Sequence, residues 1–329
     1  MTNKKSSAEA NSSLFTLGYR RASAAPRKSS SELGSSLGLH EPSLKKVAAL
    51  LTVFNRKETT LRCLTQLYGQ LPVEGCEVDV FLTDDGCTDG TAEAVRKAFP
   101  KVHIVQGDGT LFWNRGMIAA WLAAAQHQEY DYYLWLNDDT ELEDGALQRL
   151  MDCARATDGK TIIAGSCHAV GDSTKMTYGG LRKNGTRIMP DERETKPCDT
   201  FNGNIVLVPR AVYDILGTND PYYHHGSGDF DYGLRAGEAG LTSIVAPGFY
   251  GACNRHEKIG KWADKSLPFS ERWKNFNSPT GAAPREMFHY HRRHFGLVDA
   301  CSRFVSCHIH VCFPWLWSEK RVMEIKVKS

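Results

Sequence analysis

The sequence predicts an α/β fold in which a mostly parallel sheet is flanked by helices and followed by a helical C-terminal extension. Short runs of large apolar residues alternate along the chain with segments of helical period, the pattern of parallel strands joined by crossover helices. One run, Tyr132 to Leu136, is typical of a strand buried on both faces, and it stops at Asn137-Asp138-Asp139. Ligands in open α/β sheets collect beyond the carboxyl ends of strands, so these polar side chains are expected at a binding site.

The first half of the chain supplies three further strands, which alternate with two helices. A strand from Val47 to Phe54 is followed by a helical pattern through Leu61, Leu64 and Leu67, and a second strand from Val78 to Thr83 ends at Asp84-Asp85. A helix at 91–99 and a third strand at 102–105 come next. Parallel strands end at a common edge, so Asp84 and Asp85 are expected to share that edge with Asp138 and Asp139.

A glycine-punctuated loop, Gly107 to Gly116, then opens into a helix rich in alanine. Glycine lets the backbone approach a ligand closely, and a helix N-terminus favours an anion. Many loops have this composition, so the segment indicates a phosphate contact only together with the acidic clusters.

The second half is predicted to return to the sheet after a β excursion. A helix at 143–155 and a strand at 161–165 precede a polar stretch at 172–200, which contains short strands at 175–178 and 186–189 and is expected to rim the site. The remaining predictions are a strand at 201–210, a helix beginning near Asp229, a strand at 241–246, and a loop at 247–260 that carries Arg255, His256 and Lys258.

Charge is distributed unevenly along the 329 residues, although the formal net charge is only +2. Residues 45–284 carry 26 basic and 31 acidic side chains, whereas both ends are basic. This pattern argues against a nucleic-acid groove in the core and allows a weak attraction of the ends to an anionic membrane.

Residues 1–44 are rich in serine and poor in large apolar groups, so we expect a disordered arm; their arginines leave an organelle transit peptide as the alternative. The ten cysteines have no paired spacing, no secretory signal is found, and no apolar run approaches the roughly 20 residues of a membrane span. We therefore expect a cytoplasmic protein. If its C-terminal end binds lipid, we expect the protein at the inner face of the membrane.

Four sequence blocks, in order, resemble family-2 glycosyltransferases of the GT-A fold. The resemblance covers roughly residues 45–300, and it predicts a glycosyltransferase domain at 45–260 followed by a basic and aromatic helical extension at 261–329. Asn114, the run Asn202-Gly203-Asn204 and the pair Arg272-Trp273 resemble the bacterial rhamnosyltransferase-like enzymes of surface polysaccharide assembly. The blocks are Thr52-Val53-Phe54-Asn55-Arg56, Asp84 to Thr91, Leu136-Asn137-Asp138-Asp139, and Gly228 to Arg235.

The resemblance implies a role for each block. Asp229 matches the catalytic base, and Asp139 matches the direct ligand of Mg²⁺ or Mn²⁺, with His256 as a second candidate ligand. The residues implied in binding the nucleotide sugar are Asn55, Arg56, Asp84, Asp85, Asn114, Asn137, Asp138 and Arg255.

Three departures from the family pattern stand out. Asn137 replaces the first acid of the metal motif, which lowers its charge, and Gly228 replaces the acid that usually precedes the base, leaving Asp231 as a possible substitute. The run Phe269 to Trp273 lacks the glutamine of the processive subgroup, which favours the transfer of a single sugar.

The function implied is an inverting, non-processive, metal-dependent glycosyltransferase. It is expected to move a hexose, with rhamnose the leading choice, from a dTDP- or UDP-linked donor to a glycan or lipid-linked acceptor. The alternatives are a sugar nucleotidyltransferase and a catalytically inactive partner that binds nucleotide sugars.

Local structural roles compete with these assignments. Asp84 and Asp85 are compatible with an Asx turn, Asp138 and Asp139 with a solvated strand end, and Asp229 with a helix cap. Trp113 and Trp135 fit packing better than acceptor stacking. Two interpretations compete for the C-terminal segment. One is a zinc site formed by Cys301, Cys307, His308, His310 and Cys312. The other is an amphipathic tail that contacts a membrane interface through Phe304, Phe313, Trp315 and Trp317, beside Arg292, Arg293 and Arg303.

Overall fold

A mixed sheet with mostly parallel strands forms the centre of the structure, a computed structural model that describes residues 44–255 and 260–316. The strands are β1 (Lys45–Val53), β2 (Cys76–Asp84), β3 (His103–Gln106), β4 (Tyr132–Leu136), β5 (Glu141–Leu142), β6 (Thr161–Ala169), β7 (Asp172–Tyr178), β8 (Gly180–Leu181), β9 (Lys196–Pro197), β10 (Thr200–Phe201), β11 (Ile205–Pro209) and β12 (Thr242–Ala252).

The order of strands brings the predicted acidic ends together. The main sheet runs β3-β2-β1-β4-β11-β6-β12-β5, while β8 and β10 pair separately. Strand β1 is parallel to both β2 and β4, with Val53 opposite Asp84 and Leu50 opposite Trp135. Because β2, β1 and β4 end at one edge, the residues that follow them meet there, as the sequence predicted.

Helices cover both faces of the sheet. Leu64, Val95 and Leu150 belong to the apolar core on one face, and Trp121 and Tyr232 belong to the core on the other. The helices are α1 (Lys57–Gly69), α2 (Thr91–Ala98), α3 (Phe112–His127), α4 (Ala146–Arg155), α5 (Arg210–Leu216), α6 (Gly228–Glu238), α7 (Phe269–Phe276), α8 (Pro284–His294) and α9 (Leu297–Cys312).

Three predicted strands differ from the structure. The last core strand extends to Ala252 rather than 246, because its far end pairs with β6 and β5. The strand predicted at 201–210 is divided into β10 and β11 by a turn at 202–204, and the segment 186–189 makes only a single bridge, between Leu181 and Arg187. Glycines and asparagines in these segments permit turns that the apolar pattern does not reveal.

The C-terminal helices have a small core of their own, formed by Trp262, Phe276, Cys307 and Val311. No helix of the described residues is long and apolar enough to cross a membrane. The predicted arm at 1–44 lies almost wholly outside the described residues, as does the end of the extension. The domain boundary predicted at 260 follows residues 256–259, which are also outside the description, so these boundaries stay predictions.

Candidate functional site

Two adjacent carboxylates at the end of β4 share one guanidinium. Nη1 of Arg56 lies 3.1 Å from Asp138 Oδ1, and Nη2 lies 2.9 Å from Asp139 Oδ2. The hydroxyl of Thr60, one turn into α1, also donates to Asp138 at 3.3 Å. Arg56, which the sequence assigned to the nucleotide, therefore supplies a positive charge at the acidic pair.

The two carboxylates differ in their surroundings. Asp138 is almost fully buried, and burial raises its pKa to about 7, with Arg56 opposing the rise and Asp139 adding to it. In Asp139, Oδ1 is buried and has no hydrogen-bond partner. The neighbouring thiol of Cys253 has its pKa raised to about 12 by burial first and by the charge on Asp139 second, so it stays protonated.

Asn137 is held by the indole of Trp113. The Nε1–H of Trp113 donates to Asn137 Oδ1 at 2.7 Å, and the Asn137 N–H donates to the carbonyl oxygen of Asn204 at 3.0 Å. The indole therefore fixes the orientation of Asn137, which occupies the position where the family has an acid. Trp113 also packs edge-to-face on Trp135, so the predicted packing role is observed together with this polar contact.

The turn between β10 and β11 connects Trp113 to Asp229. A Cβ at Gly203 would overlap the six-membered ring of Trp113, so only glycine fits there. The N–H of Gly203 donates to Asp229 Oδ2 at 3.0 Å. The indole therefore lies between the two acidic clusters. On one side it is hydrogen-bonded to Asn137, and on the other side it packs against Gly203, whose turn holds Asp229.

Asp229 lies in the first turn of α6 and is partly exposed. Besides the Gly203 contact, its Oδ1 accepts the N–H of Phe230 at 2.9 Å. Burial raises the pKa of Asp229 to about 6, although both backbone donors stabilise the charged form. Each carboxylate oxygen of Asp229 accepts one backbone hydrogen bond and keeps a further lone pair. A carboxylate with this pKa is suited to accept a proton near neutral pH.

The absence of an acid before Asp229 has a steric cause. A Cβ at Gly228 would overlap Asn114 Oδ1, so a side chain there is excluded while Asn114 stays in place. Asn114 is fully buried, and its amide donates to the carbonyl oxygens of Asp220 at 2.9 Å and Tyr223 at 2.8 Å. Asn114 thus positions the loop before α6, and the nucleotide contact predicted for it stays a prediction.

The acids after β2 are engaged with backbone groups. Asp85 accepts three loop N–H groups, from Gly109, Leu111 and Phe112, at 2.9 to 3.2 Å. Asp84 is also buried, and its Oδ1 accepts the N–H of Cys87 at 2.8 Å. Asp84 orders the local turn that follows it, in line with the Asx-turn alternative, whereas Asp85 holds the loop after β3. Contact of either acid with a nucleotide stays a prediction.

The turn after β1 is held in the same way. Asn55 has a positive φ of 52°, and its Oδ1 accepts the N–H of Thr88 at 2.7 Å. This contact ties the loop after β1 to the loop after β2, and Asn55 remains exposed at the edge where a nucleotide would lie.

Asp231 joins the extension to the core. Its buried carboxylate accepts from Arg235 Nε at 2.7 Å, Arg293 Nη1 at 2.7 Å, His294 Nε2 at 2.9 Å and the Tyr223 hydroxyl at 3.2 Å. These partners outweigh the effect of burial and hold the pKa of Asp231 well below its usual range. Arg293 and His294 belong to α8, and none of the four bonds joins Asp231 to Asp229, so the alternative that Asp231 assists the base has no support in the geometry.

Comparison with known proteins identifies the family of this chain. A family model described as Glycosyl transferase family 2 matches residues 49–213, half of the chain, including β1, both acidic strand ends and the turn at Gly203. The chain belongs to glycosyl transferase family 2. The match stops before Asp229, so the assignment of the base depends on the contacts described above.

Relatives of this family-2 chain include rhamnosyltransferases. Two proteins from Mycobacterium tuberculosis, strains CDC 1551 / Oshkosh and ATCC 25618 / H37Rv, are each named N-acetylglucosaminyl-diphospho-decaprenol L-rhamnosyltransferase. Each is 27% identical over 200 residues, which are 52% of this chain and 64% of the relative. The chain thus spans a little under two thirds of their length.

Among solved structures, a mannosyltransferase from Pyrobaculum calidifontis in complex with GDP-Man and Mn²⁺ has a similar fold. The TM-score is 0.50 with 14% sequence identity, covering 87% of this chain and 86% of that chain. This likeness confirms the predicted GT-A fold for the family-2 chain.

The acidic pair fits a hard divalent cation in one respect. The unpartnered Oδ1 of Asp139 is a buried oxygen of the type that Mg²⁺ and Mn²⁺ prefer. Among the described residues no group of three or more His, Cys, Asp and Glu side chains is placed to hold a metal, so the predicted zinc alternative in α9 has no support there. The predicted ligand His256 lies outside the described residues. Arg255 is half-buried and lies over the ring of Tyr178, 6.0 Å from its centre.

Sequence reasoning missed three contributors to this family-2 site: Thr60, Cys253 and the N–H of Gly203. Their partners, Asp138, Asp139 and Asp229, are 26 to 114 residues away along the chain. The one available signal was Asn202-Gly203-Asn204, a turn-forming triplet that interrupts an apolar run.

Proposed function

We propose that this protein is an inverting, non-processive glycosyltransferase that moves a hexose from a nucleotide-diphosphate sugar to a glycan or lipid-linked acceptor. The observation that carries the proposal is that the indole of Trp113 donates to Asn137, which directly precedes Asp138 and Asp139, and packs against Gly203, whose N–H donates to Asp229. Inverting transfer needs a base on one side of the sugar and stabilisation of the departing diphosphate on the other. Family membership supports the same reaction class.

Asp229 takes the role of base. Its two backbone hydrogen bonds fix the carboxylate, and its pKa of about 6 keeps it charged at neutral pH while leaving it basic enough to receive a proton. The acceptor hydroxyl gives its proton to Asp229 as its oxygen attacks the anomeric carbon, and the bond to the diphosphate breaks. No covalent intermediate is needed.

Arg56, Asp138 and Asp139 form the opposite side. A divalent cation bound at Asp139 Oδ1 would neutralise charge on the leaving diphosphate. Arg56, with its side chain 39% exposed, can contact an anion while still paired with the carboxylates. Asn55 lies exposed beside these groups at the end of β1, where we place the base and ribose of the nucleotide.

The donor we propose is dTDP- or UDP-linked, with rhamnose as the leading sugar, because the curated relatives are named rhamnosyltransferases. Their name also includes a decaprenol-linked N-acetylglucosamine, which supports a lipid-linked acceptor here. The turn at Asn202-Gly203-Asn204 and Asn114, which suggested this subgroup, both lie beside Asp229 in the structure.

A lipid-linked acceptor is consistent with the surface of α9. The exposed positions of this helix carry no charged side chain. Arg293 and Arg303, predicted to face lipid, are instead paired with Asp231 and Asp299, so attraction to an anionic surface is weaker than the sequence suggests. We therefore propose that apolar contact holds α9 at the cytoplasmic face of a membrane. The exposed residues are Leu297, Val298, Cys301, Ser302, Val305 and Ile309.

Incubation with a panel of nucleotide sugars and Mn²⁺ tests the reaction. We expect release of a nucleoside diphosphate from a dTDP- or UDP-sugar, stimulated by an acceptor, and a product whose anomeric configuration is inverted by NMR. An Asp229→Asn variant should lose transfer, whereas Asp172→Asn, at an exposed position far along the chain from the site, should keep it.

The rival functions give different results. A nucleotidyltransferase would produce nucleotide sugar and pyrophosphate from a sugar phosphate and a nucleoside triphosphate. An inactive binding partner would bind nucleotide sugars without turnover, and Asp229→Asn would change nothing. Gly228, one of the two features that favoured the inactive function, has a structural reason in Asn114, which weakens that alternative.

Vesicle co-sedimentation tests the membrane contact. The double substitution of Val305 and Ile309 to glutamate should reduce binding to lipid vesicles, since it places charges on the exposed apolar face. Val170→Glu, at an equally exposed valine, is the control and should bind like the natural chain. Equal binding by all three proteins would contradict the contact.

A further inference from the structure

A cavity of about 400 Å³ lies between the start of α6 and the helices α8 and α9. Ser227 and Phe230, on either side of Asp229 in the chain, form one wall. Tyr290 forms another, and burial first and the charge on Asp229 second raise the pKa of Tyr290, which indicates that the two side chains are close. The cavity therefore adjoins the proposed base, and its volume is within the range of small-molecule sites.

His291 lines this cavity with one ring nitrogen unsatisfied. The residue is 1% exposed; its Nδ1 lies 2.7 Å from Asp299 Oδ2, while its Nε2 is buried without a hydrogen-bond partner. Arg303 donates to the same Asp299 carboxylate at 3.1 Å, so Asp299 is the acceptor in this cluster. The hydrogen therefore sits on Nδ1, and Nε2 presents a lone pair.

The protonation state supports this assignment. Burial first, and the nearby charge of Arg303 second, lower the pKa of His291 to about 4, so the ring is neutral at pH 7. A buried acceptor without a donor is unfavourable, and a ligand hydroxyl would satisfy it.

The other side chains that line the cavity indicate which class of ligand it can bind. Trp262, Phe230 and Tyr290 are aromatic, and Met287 is apolar. The charged side chains of the lining, Arg303 and Glu286, are paired with Asp299 and His224, which leaves no excess of positive charge for a diphosphate. Aromatic faces combined with a few placed polar atoms suit a sugar ring, which has apolar C–H faces and a rim of hydroxyl groups.

We propose that this cavity holds the sugar ring of the glycosyl acceptor and that His291 Nε2 accepts a hydrogen bond from one of its hydroxyl groups. Asp299 acts as a positioning residue that fixes the tautomer of His291. The inference rests on the proposed function. It specifies that the cavity recognises the neutral sugar of the acceptor, rather than its diphosphate or lipid tail.

Direct binding to the full chain tests the proposal without requiring turnover. The probes are the methyl glycosides of glucose, galactose and N-acetylglucosamine, with farnesyl diphosphate as the lipid-diphosphate probe, measured by saturation-transfer NMR. We expect at least one glycoside to bind and His291→Phe to raise its Kd by about 10-fold, the effect of losing one hydrogen bond. His291→Gln, which restores an acceptor oxygen, should recover part of the affinity.

His289→Phe is the matched control, because His289 is on the same helix but stacks on Tyr222 outside the cavity. It should leave glycoside binding unchanged. Ser306→Trp fills the cavity and leaves His291 intact, so it should abolish binding even if His291→Phe does not fold. Thermal melting establishes which variants are folded.

The proposal is overturned if no glycoside binds, if His291→Phe binds glycosides as the natural chain does, or if binding survives Ser306→Trp. It is also overturned if farnesyl diphosphate competes for the cavity and its binding is lost in the same variants. Release of nucleoside diphosphate from the donor alone is measured in parallel. Donor turnover without glycoside binding refutes this inference and leaves the proposed function standing, whereas glycoside binding without any donor binding or turnover refutes the proposed function.

Discussion

The indole nitrogen of Trp113 lies 2.7 Å from Asn137 Oδ1, and the same indole packs against Gly203, whose N–H donates to Asp229. One side chain from the start of α3 therefore sets the relative position of the strand-end acids and the proposed base. Asn137 and Asp229 both depend on Trp113, although they are 92 residues apart in the chain.

Replacing Trp113 by phenylalanine should lower transfer while the protein remains folded. The substitution removes the donor to Asn137 and leaves its Oδ1 without this partner, and we expect kcat/KM to fall by about 10-fold. The measurement is the rate of nucleotide release over a range of donor concentrations, with thermal melting as the check on folding. Trp273→Phe, at an exposed tryptophan of α7, is the control, and equal activity of the two variants would contradict the bridging role.

The pH dependence of transfer should show an acid limb near pH 6. The pKa of Asp229 is raised to about 6, so below that pH the carboxyl is protonated and cannot receive the acceptor proton, and the rate falls as pH decreases. Asp229→Asn should reduce kcat by about 10²–10⁴-fold. A pH profile of kcat/KM measures the limb; a rate that stays constant from pH 7 to pH 5 would remove Asp229 as the base.

Alanine at Gly228 should destabilise the protein, whereas alanine at Gly226 should not. A Cβ at Gly228 overlaps Asn114 Oδ1, while Gly226 has open space around it. The cost expected for this overlap is about 1–3 kcal/mol in the free energy of unfolding. Urea unfolding of the two variants gives the comparison.

A double-mutant cycle tests the cause of that effect. Asn114→Ala removes the overlapping oxygen, so Gly228→Ala should cost less in that background than in the natural chain. Additive effects would show that the two positions are independent.

Removing the guanidinium of Arg56 should strengthen divalent-cation binding. Arg56 neutralises the Asp138–Asp139 pair, and Arg56→Met leaves both carboxylates free for a cation, which we expect to lower the Kd for Mn²⁺ by about 10-fold. The readout is titration of Mn²⁺ by EPR. Arg62→Met, which breaks only the exposed pair with Glu141, should not alter it, and weaker Mn²⁺ binding by Arg56→Met would contradict the competition.

Asparagine at Asp231 should loosen the C-terminal helices. The substitution removes the buried carboxylate from Arg235 and leaves Arg293 paired with Asp220 alone, and loss of one side of a buried pair costs about 3–5 kcal/mol. The folded-state pKa of Asp231 is depressed, so its contribution is complete at neutral pH and is lost as pH falls below its ordinary value of 3.8. The stability difference between the two proteins should therefore shrink at low pH.

Denaturant unfolding at several pH values measures this difference, and limited proteolysis of residues 284–316 reports on α8 and α9. Asp214→Asn, which removes an exposed ion pair with Arg210, is the control and should cost well under 1 kcal/mol. An equal effect of the two substitutions would mean that Asp231 does not join α8 to the core.

The interior of the sheet and its acidic edge were predictable because they depend on local patterns. Tyr132 to Leu136 is apolar enough to be a central strand, and it pairs with β1 as expected. The turn at Gly203 was hidden within an apolar run, since turn residues there could equally belong to a bulge. The extension of β12 to Ala252 depends on pairing with β6 and β5, which no local pattern encodes.

The sequence by itself determined the order of strands and helices, the polar ends of β2 and β4, and the family. Only the tertiary structure decided what the polar side chains do: Asn114 and Asp231 serve the framework, Arg56 pairs with the acids, and His291 is left with an open acceptor. The physical reason is range. Strand and helix patterns arise within a few residues, whereas the partner of a buried charge or amide is chosen by packing between segments that are far apart in the chain.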